Sequence, residues 1–197
     1  MTRAWRLLLA AFTSTLTLSA CGLGLNSSST TTSNTHPATT SIENNATYCT
    51  TDQLKIVLGV ANVAMGHVGQ EVRFENTSTS SCVLTGYPSL QLVDASGHPL
   101  ATHINDGSGY IVPSLPVRRV VLAPHRAAAF LIGYSDATGY GAASCPKSAF
   151  VKIFPPRLHV ALTVAWHLQP YGGATIATLR CGELTVSPVA LAGAIKW

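Results

Sequence analysis

The sequence predicts an antiparallel β-sandwich over residues 48–197, on three observations. Apolar and polar residues alternate over roughly seven to nine short segments, turn formers recur about every 8 to 15 residues, and no stretch carries a convincing helical period. The 150 residues from Tyr48 to Trp197 suffice for one well-cored domain and are short for two.

Residues 1–20, "MTRAWRLLLAAFTSTLTLSA", place Arg3 and Arg6 ahead of an apolar run that ends in small residues, the pattern of an export signal. Thr13, Ser14, Thr15 and Thr17 interrupt the run, which makes it a poor membrane span. Cys21 follows directly. Residues 22–47 hold 5 Ser, 7 Thr and 4 Asn and few bulky apolar side chains. Such a segment cannot bury enough surface to offset its ordering entropy, so residues 21–47 read as a flexible tether. Its Thr clusters around Pro37 are open to O-linked sugars on composition alone.

Within the domain, "TTDQLKIVLG" opens the fold, and Thr51 with Leu54, Ile56 and Leu58 suits a capped helix and an alternating strand equally. "QEVRFENTS" sets Val72 and Phe74 against Glu71, Arg73 and Glu75, a half-buried strand that breaks at Asn76-Thr77-Ser78. Leu90 and Leu92 share a face before an Asp94 to Gly97 turn, and Pro99 and Leu100 begin a short return. Val117 to Leu122 and Ala127 to Tyr134 read as strands around a Pro124 corner. "FVKIFPP", "LHVALTVAW" and "GELTVSPV" supply three more, with Leu158, Val160, Leu162 and Val164 on one face and Trp166 beside them.

Cys49, Cys82, Cys145 and Cys181 remain after Cys21, an even set that reads as two disulfides in an exported chain. Three pairings are open. Chain order favours Cys49 with Cys82 and Cys145 with Cys181, because local closure costs less entropy. A zinc site would want two of these cysteines two to four residues apart, a spacing that none shows.

Beyond residue 21 the chain carries 10 Lys or Arg and 8 Asp or Glu, and its longest basic run is Arg118-Arg119. Nothing resembles a nucleic-acid module, so no nucleic-acid partner is expected. The Gly-rich loops lack the spacing that cradles a phosphate, and no cofactor is expected. Seven histidines include no H-E-x-x-H, and the serines near glycine form no nucleophile elbow. The tightest grouping for a metal is His98 and His103 with Asp94 and Asp106. A cleft that joined His98, His103 and Asp106 would favour a metal-dependent or hydrolytic envelope enzyme, and separated side chains would count against one. The excursion "HINDGSGYIVPSLPV" is apolar for a loop. Tyr110, Ile111 and Leu115, with Tyr140 and Tyr171 from other loops, form a candidate recognition rim. The competing reading packs Ile111 and Leu115 across the end of the sandwich.

Two resemblances stand beside these readings. "LSAC", Leu18 to Cys21, resembles the bacterial lipobox, which implies cleavage before Cys21 and acylation of its sulfur. An ordinary signal peptide ending near a cysteine is the alternative. Membrane lipid, reached through acylated Cys21, would then be a partner, and two or more acyl chains would hold the domain durably at the outer face. Cys49, Asn76-Thr77-Ser78, "CVLTGYP" from Cys82 to Pro88, Asp94 to Gly97 and "LAPH" from Leu122 to His125 resemble the secreted actinobacterial family known as domain of unknown function 4232. The resemblance runs over nearly all of residues 48–195 and implies an immunoglobulin-like sandwich, lipid-anchored or secreted, with no assigned reaction. His125 stands where that family usually has Gly, which predicts a type I turn after Pro124 in place of a type II turn. The expected function is that of a cell-envelope lipoprotein with a non-catalytic domain, binding a polymer, lipid or protein.

Overall fold

The computed structural model describes residues 46–135, 148–166 and 183–196. Thr50 opens the fold by capping a single 3-10 turn, Thr51–Gln53, with the Gln53 side chain reaching back to the Thr50 amide at 2.9 Å. Strand β1, Leu54–Ala64, follows at once, so the ambiguous opening segment is a strand rather than a helix. It turns into β2, His67–Asn76, through Met65 and Gly66, whose φ values of 48° and 78° are the left-handed pair that a two-residue type I′ hairpin requires. Then come β3 (Cys82–Leu84), β4 (Ser89–Val93), β5 (His103–Asp106), β6 (Val120–Leu122) and β7 (Ala127–Ser135). The last four are β8 (Phe150–Phe154), β9 (Leu162–Ala165), β10 (Glu183–Val186) and β11 (Ala190–Leu191).

Among the described residues these strands form three sheets. The largest runs β1-β2-β7-β10-β5, with β11 beside β7, and it is antiparallel except for the β5–β10 pair. The others are β3-β6 and β4-β8-β9, both antiparallel. The fold is all-β and consistent with a β-sandwich. Among the described residues no helix is long and apolar enough to cross a membrane.

One core joins the sheets. Val72 and Phe74 of β2, Phe130 and Ile132 of β7, and Leu184 and Val186 of β10 bury against Leu84, Leu92, Leu122, Val151 and Ile153. Phe74 and Phe130 stack with centroids 5.2 Å apart. Cys49 and Cys82 close a disulfide at the edge of this core, their Cα atoms 4.8 Å apart.

A second apolar cluster covers the opposite face of the large sheet. Ala129 and Leu131 alternate with the inward residues of β7, and Val112 and Ile195 bury them, helped by Ile111, Leu115 and Ala190. This cover changes the expected polar face of β2. Glu71 is buried there, beside Leu131 in the strand register, with its carboxylate on the Arg73 guanidinium. On the core face Gln70 is also buried, and its amide donates to the Gly59 carbonyl at 2.9 Å, where β1 slips register.

Four expectations give way. The strand expected from Leu158 starts only at Leu162, because Pro155 to Leu158 close a turn with Arg157 at φ 68°, and Val160 is left exposed. The strand expected from Val117 starts at Val120, and Val117 is exposed. His103 to Asp106, read as loop, pairs with β10. His125 does not take a type I turn: its φ is 60° and the Arg126 amide donates to the Ala123 carbonyl at 3.1 Å, so the left-handed position is kept without a glycine.

Candidate functional site

The cover on the outer face rests on two glycines. Gly69 of β2 and Gly133 of β7 are cross-strand partners, and the row continues through Thr185 to Asn105. With no side chain, Gly133 leaves a gap in this row. Val112 sits in it: a Cβ on Gly133 would lie 2.6 Å from Val112 Cγ2. Gly109 lies against Thr185 in the same way, and a Cβ there would be 3.0 Å from Thr185 Oγ1. The turn between them is closed by the Gly109 amide on the Val112 carbonyl at 2.9 Å, so residues 109–112 run close over the sheet.

What the loop leaves open is a cleft of about 180 Å³. Tyr110 and His67 form one wall, Ile111, Val112 and Gly133 the floor, and Asn105, Ser135, Glu183 and Thr185 the polar margin. Tyr110 is 64% exposed, its ring centroid 4.4 Å from that of His67 and its hydroxyl donating to Met65 Sδ at 2.9 Å. The Ser135 hydroxyl donates to the Gly66 carbonyl at 3.3 Å, fixing that margin to the β1–β2 turn. Among the described residues of the lining Glu183 is the one formally charged side chain. Such a site offers an aromatic wall, an apolar floor and convergent hydrogen-bonding groups, the usual makings of a small-ligand pocket.

The sequence reading named part of this. Tyr110 and Ile111 line the cleft, whereas Leu115 belongs to the second core and lines a separate groove with Pro116, Arg118 and Arg119. Ile111 and Leu115 do pack as apolar cover, on the outer face of the sheet rather than across its end. Tyr140 and Tyr171 lie outside the described residues, as do Cys21, Cys145 and Cys181. His67, Asn105 and Glu183 went unnoticed. The available signal was the odd-numbered phase of β2 and β7, which puts His67, Gly69, Gly133 and Ser135 on one face.

The histidine grouping is not assembled. His98 pairs with Asp94 at 3.4 Å in an exposed turn, and His103 and Asp106 stand at opposite ends of β5. An odd offset along a strand sends their side chains to opposite faces. Among the described residues no three His, Cys, Asp or Glu side chains are grouped to hold a metal. The Asp94 carboxyl sits below its ordinary value: the His98 amide donates to it, as does the Ser96 amide, both at 2.8 Å, and the His98 ring adds to the effect.

The quoted motifs are structural. In "CVLTGYP", Cys82 holds the disulfide, Leu84 fills the core, Gly86 takes φ 101° and accepts from the Val189 amide at 2.9 Å, and Pro88 is buried. Tyr87 is half-buried and takes no part in the cleft lining. Asn76 of the Asn-x-Ser turn is fully buried and donates to Ser80 and Leu122 carbonyls. No curated protein matches the chain. The family described as domain of unknown function (DUF4232) matches residues 49–190, well over half the chain, and the protein belongs to it.

Proposed function

We propose that the protein is a cell-envelope lipoprotein, its β-domain held at the extracytoplasmic face of the membrane by acylated Cys21 and acting by binding rather than catalysis. The observation that carries this reading is the buried Cys49–Cys82 disulfide, with both cysteines at most 2% exposed. Stable disulfides belong to oxidising compartments, and export is what "LSAC" after an apolar run provides. The Ser/Thr-rich tether then sets the domain off the lipid surface. A second bridge, Cys145–Cys181, and an immunoglobulin-like arrangement of the sheets belong to the same reading, the latter supported by the main core, to which all three sheets contribute. The exposed cleft beside Tyr110 supports a binding role for an envelope polymer, lipid or protein. Among the described residues no grouping of His, Cys, Asp and Glu supports the metal-dependent alternative.

Growth with an alkyne-bearing palmitate tests the anchor. Wild type should take up label and fractionate with membranes, and Cys21→Ala should do neither. Equal membrane recovery of unlabelled wild type would contradict the reading.

A further inference from the structure

We propose that the Tyr110 cleft is a saccharide subsite that takes one neutral pyranose ring of a glycan, an inference that rests on the binding role above and names its ligand class. The chemistry of the walls sets the class. A pyranose presents a face of C–H groups and a rim of hydroxyls. The negative face of an aromatic ring attracts the former, and Tyr110, held by His67 and Met65 yet 64% exposed, is a rigid ring available for it. Asn105, Ser135 and Thr185 supply donors and acceptors at the margin, and the Glu183 carboxylate accepts strongly from hydroxyls. Among the described residues of the lining Glu183 carries the only formal charge, which disfavours phosphate, sulfate and uronic acids beside it. The size fits the same class: about 180 Å³ is well short of the roughly 300 Å³ at which drug-sized pockets begin, so a single ring enters while the rest of a glycan stays outside.

The test is proton NMR on the full-length protein in detergent micelles, titrated with cellobiose, mannobiose and galactobiose, and with glucuronic acid and a leucine tripeptide as controls. At least one neutral disaccharide should shift the Tyr110 and His67 ring resonances at millimolar concentration, and glucuronic acid should not. Tyr110→Ala should abolish the shift of His67, and Glu183→Gln should weaken binding about tenfold. Val117→Ala, exposed in the same connection between β5 and β6 and no part of the cleft lining, should retain binding and serves as the control for loop damage. Silence with every saccharide, or unchanged binding in Tyr110→Ala, would overturn the proposal. Binding of the tripeptide alone would overturn the ligand class and leave a binding role standing. Acylation of Cys21 is read separately, so failure here and failure of the anchor are distinguishable.

Discussion

Asn76 Nδ2 donates to the Leu122 carbonyl at 3.0 Å, tying the end of β2 to the end of β6 across 46 residues. The same amide reaches the Ser80 carbonyl at 2.8 Å, while its oxygen accepts from the Ser78 amide at 3.0 Å and the Ser78 hydroxyl at 2.8 Å. Asn76 is therefore the buried centre of a hydrogen-bonded knot and no acceptor for sugar in the folded chain. Asn76→Ala leaves the buried Leu122 carbonyl, and the less buried Ser80 carbonyl and Ser78 amide, without this partner, and should cost about 2 kcal/mol in urea unfolding. A loss below about 0.5 kcal/mol would show that the knot is dispensable.

Gly133 makes the opposite kind of contact, an absence that Val112 fills. Gly133→Ala should destabilise by about 1 to 3 kcal/mol through overpacking. Adding Val112→Ala should return part of that loss. Strictly additive effects in the double variant would deny the contact.

His125 bears a left-handed backbone on a side chain that disfavours it. His125→Gly should raise stability by up to about 1 kcal/mol, since relief of about 1 to 2 kcal/mol is offset in part by the greater freedom of glycine in the unfolded chain. Substitution by Val should destabilise. Thermal unfolding of both variants reads the pair.

Much of this was legible and the reasons are local. Alternation in Val72, Phe74, Leu90 and Leu92 reports a half-buried strand directly, and the Asp94 to Gly97 turn carries its own chemistry. What escaped is whatever depends on a second covered face. Glu71 reads as solvated until Val112 and Ile195 bury the neighbouring Leu131. The rest of the cleft lining escaped because His67, Asn105 and Glu183 are far apart in sequence, and strand register through β2, β7, β10 and β5 brings them together. At His125 the tertiary hydrogen bond from its amide to the Asn76 carbonyl, 2.9 Å long, held a conformation that residue preference argued against.

Asp94 gives a pH dependence. Its carboxyl titrates below the ordinary value because the amides of His98 and Ser96 favour the charged form. A depressed folded value means the contribution is present above the unfolded value of about 3.9 and is lost as pH falls through the lowered one. The Ser96 amide resonance should therefore show an Asp94-dependent movement that begins only below about pH 4. Asp94→Asn should abolish that movement; its persistence would assign the titration elsewhere.

The central claim is an acylated Cys21 ahead of a disulfide-stapled domain. Intact mass of the protein extracted from its native membrane, with and without reduction, tests it most directly. The account predicts residues 21–197 plus acyl chains, a gain of four hydrogens on reduction, and no acyl mass in Cys21→Ala. An unacylated chain whose mass reduction does not change would contradict both the anchor and the stapled domain.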